Sequence, residues 1–250
     1  MQDSDYLDEL GGLSARHRLV LLDPRGTGDS EDPLDPDTYR CDHQVADVEA
    51  LRIHLGLDTV TLLAHSAGTN LAVSYAAEHP GRIERLVLVC PSVHAVGIPV
   101  GTDDRRAVVL ARAGEPWYEA SADAFERLDS GQGNAGDVSA LAPFGYARWD
   151  ETSIAHQLSC LTGRNDEAAG LFAADGAFDH DAIRTALAKL DAPVLLVGGE
   201  LDVNSPAAVL PTYAALFADA TLVVQPGAAH HPWLDDPAAF TATVAAFLAS

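Results

Sequence analysis

The stretch Leu62-Leu63-Ala64-His65-Ser66-Ala67-Gly68-Thr69-Asn70-Leu71 constrains this chain more than any other. Thr59 to Leu63 is a short apolar run with the character of a buried strand. Thr69 to His79 has helical spacing, with Leu71, Ala72, Tyr75 and Ala76 on one face. Ser66 sits at the junction, flanked two residues away by Ala64 and Gly68. A strand that turns into a helix at a serine, between small residues, has the pattern of a nucleophile elbow. The backbone at such a serine is strained, and bulky groups at the two flanking positions are expected to collide with adjacent backbone. The hydroxyl is then exposed beside a helix N-terminus, where the Ala67 N–H can face a developing oxyanion. The plainer alternative is a strand-to-helix turn with an incidental serine.

The regions around this stretch alternate in kind. Arg18 to Leu22, Leu86 to Val89, Pro193 to Val197 and Thr221 to Val224 are further strand-like runs. Helical patterns fall at Tyr6 to Ser14, His43 to Leu55, Ala207 to Phe217 and Pro237 to Leu248. Strands separated by helices predict a parallel sheet covered on both faces, an α/β fold. Between about Val96 and Leu187 strand-like runs nearly vanish, and half of the aromatic residues collect there. This segment has the character of a helical cap, which divides the chain into 1–95 and 189–250 as core and 96–188 as insertion. Trp117, Phe144, Tyr146 and Trp149 of the cap, with His65, are candidate substrate contacts; the competing role for each cap aromatic is to pack the cap on the core.

Three reactive residues follow strands, where open parallel sheets collect functional groups. Ser66 follows one, Asp202 another, His230 the last. A serine hydroxyl attacks poorly unless a base takes its proton, and a histidine near neutral pKa is suited to that. An aspartate fixes the imidazole tautomer and stabilises the imidazolium. The rivals are His231 as base and Asp235 or Asp236 as acid, although the two aspartates have the position of a cap for the last helix. His65 adjoins the serine on a tight turn, so its side chain is expected to point away in a supporting role. The loop Asp23-Pro24-Arg25-Gly26-Thr27-Gly28 lacks the ending of a phosphate-binding loop and is expected to be a structural corner.

Composition excludes several function classes. The formal net charge is −22, which opposes nucleic acid and anionic membrane surfaces as partners. No apolar run is long enough to span a membrane, and no signal-peptide pattern opens the chain. Cys41, Cys90 and Cys160 are widely spaced and odd in number, which points to a reducing compartment, hence the cytoplasm. No Cys/His group has zinc-site spacing and His230-His231 is not a helical metal pair, so no metal is expected. A small molecule or short peptide is the expected partner; oligomeric state is unreadable.

Four segments carry a family resemblance: Asp23-Pro24-Arg25-Gly26-Thr27-Gly28-Asp29-Ser30, Ala64-His65-Ser66-Ala67-Gly68, Gly199-Glu200-Leu201-Asp202, and Pro226-Gly227-Ala228-Ala229-His230-His231-Pro232-Trp233. Through them the chain resembles the α/β-hydrolase superfamily over nearly its whole length, and most of all its proline iminopeptidase-like branch of serine peptidases and esterases. The resemblance implies acyl transfer to water through an acyl-serine, with no cofactor, on Ser66, His230, Asp202 and Ala67. Family aminopeptidases hold the substrate amine with acidic cap residues, for which Glu115, Glu119, Asp150 and Glu151 are candidates. A carboxylesterase or lactonase is the alternative activity; a ligand-binding or inactive protein on the same fold is the alternative of another class.

The resemblance also implies more chain before Tyr6, including a strand that runs between Arg18–Leu22 and Thr59–Leu63 and ends in a loop with the second oxyanion N–H. The expectation is that Met1 is internal to a longer protein; the alternative is a naturally short chain in which those two strands pair directly or another segment fills the gap. The lack of one oxyanion donor costs about 10²–10³ in rate, so this chain is expected to hydrolyse weakly or fold poorly.

Overall fold

A computed structural model describes residues 1–250. Four strands form one sheet in the order β1 (Val60–His65), β2 (Ile83–Val89), β3 (Val194–Gly199), β4 (Ala220–Gln225), all parallel. β1 to β3 end in step: Ala64 pairs with Leu88, and Leu88 with Leu196. Their carboxyl ends therefore open on one edge of the sheet, where Ser66 and Asp202 follow β1 and β3.

Alternation along the strands sorts the core into two layers. Leu86, Leu88, Val194 and Leu196 face one side, against Val45 and Val48 of α1 (Cys41–His54) and Ala72, Val73 and Ala76 of α2 (Gly68–Glu78). Val87, Val89, Leu195 and Val197 face the other, with Leu10, Leu13 and Trp233. Truncating a fully buried leucine such as Leu88 or Leu196 to alanine costs about 2–5 kcal/mol.

Between β2 and β3 the chain is helical: α3 (Thr102–Ala111), α4 (Tyr118–Asp129), α5 (Ala135–Ala140), α6 (Glu151–Thr162), α7 (Asp166–Phe172) and α8 (His180–Leu187). Ile183 and Leu187 of α8 lie in the core cluster with Ala72, Val73 and Ala76 of α2. After β3 come α9 (Leu210–Ala214), α10 (Pro232–Asp235) and α11 (Pro237–Ala249). Phe240 and Val244 of α11 close the second layer.

The first sixty residues depart from expectation. Arg18–Leu22 forms no strand and joins no ladder, and Val20 and Leu21 stay 46% and 42% exposed. No strand stands between it and β1, so its N–H and C=O groups have no sheet to pair with. The helix expected over Tyr6–Ser14 is instead two 3₁₀ turns, Asp5–Leu7 and Leu13–Ala15. Left-handed backbone at Asp8, Leu10, Gly11 and Gly12 breaks it. The Asp23–Ser30 loop is a built corner: Asp23 accepts from Ser4 and the Asp29 N–H, and Arg25 grips Asp47 at 2.6 and 2.8 Å.

Candidate active site

Ser66 has a φ of 51°, the left-handed strain expected of a sharp elbow. Its N–H still donates to Val89 O at 3.0 Å, continuing the β1–β2 ladder into the turn. Thr69 secures the other side, donating its hydroxyl to Ser66 O at 2.6 Å. The expected collision at Gly68 is not found: a Cβ there would meet nothing within 4 Å. The first turn of α2 leaves that side open. A position that must be small is Gly199. A Cβ on Gly199, at the end of β3, would fall on the carbonyl oxygens of Ala228 and Ala229. Its absence lets the loop carrying His230 cross close over the sheet.

The three expected residues meet. The Ser66 hydroxyl donates to His230 Nε2 at 2.8 Å, and His230 Nδ1–H donates to Asp202 Oδ2 at 2.9 Å. Asp202 is wholly buried, and its other oxygen accepts from the N–H groups of Asn204 and Ser205 at 2.9 and 3.1 Å. Burial pushes the Asp202 carboxyl up, but His230 and these hydrogen bonds outweigh it and hold the carboxyl below its ordinary range. The neighbouring Cys90 thiol is pushed well up by burial and by the Asp202 charge, so it is inert as a nucleophile. The Ala67 N–H, at the start of α2, has no acceptor within the chain.

The rival residues have other tasks. His231 Nδ1–H donates to Gly145 O at 2.9 Å, and its ring stacks on Tyr146 at 4.7 Å. Burial holds it well below the usual imidazole range. Asp236 caps α11 through Ala239 N–H at 3.0 Å, as expected. Asp235 does not cap; it accepts from Ala229 and Ala147 N–H at 2.7 and 2.8 Å, tying the His230 loop to the insertion. His65 is buried among Tyr6, Trp233 and the backbone carbonyl of His230.

A cavity of about 440 Å³ opens over Ser66 and His230. Its wall is Ala67, Cys90–His94, Ile98, Val100, Arg105, Asn204 and Ser205. None of the expected contacts His65, Trp117, Phe144, Tyr146 and Trp149 lines it. Phe144 and Tyr146 are buried to 0% and 1% exposure, Trp117 meets Phe144 edge-on at 4.9 Å, and Trp149 lies 5.6 Å from Tyr146. These aromatics pack the insertion on itself and on the His231 loop, which is where their apolar area is removed from water. Arg105, Asn204 and Ser205 were not found from sequence; only proximity to Asp202 could have suggested the last two.

A family model described as alpha/beta hydrolase fold matches residues 4–237. The chain belongs to the α/β-hydrolase family. Over its whole length it is 26% identical to a protein of Bacillus subtilis (strain 168) named "Putative 2-succinyl-6-hydroxy-2,4-cyclohexadiene-1-carboxylate synthase", covering 86% of that protein. It is 33% identical to the proline iminopeptidase of Heyndrickxia coagulans, over 34% of this chain and 30% of that one. The solved structure of the esterase RhEst1 from Rhodococcus sp. ECU1013 covers the whole chain with a TM-score of 0.71 and 26% identity, and 87% of the esterase is matched. This α/β hydrolase therefore has relatives named as esterase, peptidase and synthase on one scaffold. No helix of this hydrolase is long and apolar enough to cross a membrane.

Proposed function

We propose that this α/β hydrolase cleaves small esters, preferentially ones bearing a carboxylate, through an acyl-Ser66 intermediate. The observation that carries the reading is the hydrogen-bonded chain Ser66–His230–Asp202 opening on a cavity of substrate size. His230 takes the Ser66 proton as the oxygen bonds to the acyl carbon, then gives it to the departing alkoxide. Water, deprotonated by the same ring, releases the acid. Asp202 holds the imidazole in the tautomer with the proton on Nδ1 and stabilises its cation. The Ala67 N–H faces the oxyanion, worth about 10²–10³ in rate for one such donor.

The cavity wall supports an ester over a free N-terminal amine. It holds one arginine and no aspartate or glutamate. The acidic candidates for an amine all stand outside it: Glu115 is engaged by Arg112 at 3.3 Å, Asp150 caps α6, and Glu119 and Glu151 begin α4 and α6. Arg105 makes no ion pair, whereas its neighbour Arg106 is held by Asp103, Glu126 and Asp129.

The test is fluorophosphonate labelling with peptide mapping of the chain and of Ser66→Ala, followed by turnover of aryl esters with and without a carboxylate and of a proline anilide. Label on Ser66 alone, with ester turnover above anilide turnover, is the expected result. A folded chain without label overturns the acyl-serine reading; faster anilide cleavage returns the aminopeptidase.

A further inference from the structure

Two groups of histidine and cysteine converge in this molecule, and they differ in what their lone pairs already do. His65, Cys90 and His230 lie within 4.8 Å of one another at their donor atoms. Their nitrogens are spoken for. His65 Nε2–H donates to His230 O and Nδ1 accepts from the Tyr6 hydroxyl, while both His230 nitrogens serve Ser66 and Asp202.

The second group is His156, Cys160 and His231, again within 4.8 Å. His156 and Cys160 stand one turn apart on the same face of α6. His156 Nε2–H donates to Tyr6 O at 2.8 Å, and His231 Nδ1–H to Gly145 O at 2.9 Å. A carbonyl cannot donate, so each of these nitrogens carries the ring proton. The lone pairs are thereby left on His156 Nδ1 and His231 Nε2. This is the arrangement of metal-ligating histidines, whose second nitrogen is anchored to a carbonyl or carboxylate. Cys160 Sγ lies 3.7 Å from His156 Nδ1. A tetrahedral ion with Zn–S of about 2.3 Å and Zn–N of about 2.0–2.1 Å sets these atoms roughly 3.6 Å apart.

One group occupies the position now. The Tyr146 hydroxyl donates to His156 Nδ1 at 2.8 Å, and Gln157 Oε1 offers it a second acceptor at 3.2 Å. The hydroxyl can turn to Gln157 and release the nitrogen without losing a partner. We propose that His156, Cys160 and His231 form a binding site for a zinc-type divalent ion, separate from the Ser66 centre. On binding, the Cys160 thiol loses its proton to solvent and the thiolate bonds to the metal. Two imidazoles and one thiolate suit a borderline-soft ion over calcium or magnesium. The ion would brace α6 against the segment that carries His230, since Gly145 O accepts from both His231 Nδ1–H and the His230 N–H.

The test is titration of the intact chain with zinc and with cobalt, followed by calorimetry, bound-metal analysis and absorption. The expected result is one equivalent of ion, a thiolate-to-cobalt charge-transfer band in the near ultraviolet, and affinity lowered more than about tenfold by Cys160→Ser and by His156→Gln. Cys90→Ala and Ser66→Ala keep the site. Circular dichroism of the metal-free variants checks that they fold. Absence of stoichiometric binding by the folded parent chain overturns the proposal. So does binding unchanged in folded Cys160→Ser and His156→Gln, or lost in Cys90→Ala. All these readouts are independent of ester turnover.

Discussion

His65 donates its Nε2–H to the backbone carbonyl of His230 at 2.8 Å, so the residue before the nucleophile fixes the backbone of the base. Tyr6 donates its hydroxyl to His65 Nδ1 at 3.0 Å, and Trp233 meets the ring edge-on at 4.7 Å. Burial holds His65 well below the usual imidazole range, so the ring keeps one donor and one acceptor nitrogen. His65→Ala is expected to lower kcat about 10–100-fold, the range for misplacing a reacting group, with KM little changed. His65→Gln, which retains a donor, should recover part of it. Steady-state kinetics beside the fluorophosphonate labelling rate checks this; an equal loss of Tm without a change in kcat refutes a positioning role.

Asp202→Asn keeps an oxygen for Asn204 and Ser205 N–H but offers His230 Nδ1 the wrong partner for its proton. A loss in kcat on the order of 10⁴ is expected, with the fold retained. A loss below tenfold in ester hydrolysis would remove Asp202 from the reaction.

Arg105 is the unpaired cation on the cavity wall. Arg105→Ala should raise KM for a carboxylate-bearing ester about tenfold and leave a neutral ester of the same size unchanged. The preference should weaken with added salt, because the residue is exposed and screened. Parallel KM measurements at low and high ionic strength decide it.

Gly199→Ala sets a methyl against the Ala228 and Ala229 carbonyls. Overpacking of this kind costs about 1–3 kcal/mol, or about 2–4 °C in Tm per kcal/mol in a chain of this size. Activity should fall further than Tm, since the displaced backbone carries His230. Gly68→Ala, into open space, should leave Tm within about 2 °C.

Glu49 accepts two hydrogen bonds from Arg52 and one from the Tyr75 hydroxyl, joining α1 to α2. The Arg52 guanidinium, and next the Tyr75 hydroxyl, lower its carboxyl from 4.5 to about 2. A depressed folded-state pKa stabilises above the unfolded value and is lost as pH falls through the folded one. The stability gap between the parent chain and Glu49→Gln should be full at neutral pH and shrink between pH 4.5 and about 2. Urea midpoints at neutral pH and at about pH 3 measure it.

The elements around the serine were legible because periodicity and chain order agree there. β1, β2, β3 and β4 fall within a few residues of their apolar runs, and Ser66, Asp202 and His230 each follow a strand end. Arg18–Leu22 was not legible: an apolar pentamer has the same composition whether or not a neighbour pairs with it. The aromatics of the insertion misled for a related reason. Phe144 and Tyr146 are the residues an insertion uses to bury itself, and nothing in their type distinguishes that from facing a ligand. The His156–Cys160–His231 group spans two distant segments, so only the i, i+4 pair on α6 could have hinted at it.

β2 and β3 are hydrogen-bonded on both sides, whereas β1 is an edge strand with β2 as its only partner. Amide hydrogen exchange should therefore be graded across the sheet, with the outward-facing amides of β1 exchanging early and those of β2 and β3 last. Ser66 hangs from the end of β1. On warming, fraying of that edge would dismantle the elbow while the inner strands hold, so inactivation should precede the loss of bulk secondary structure.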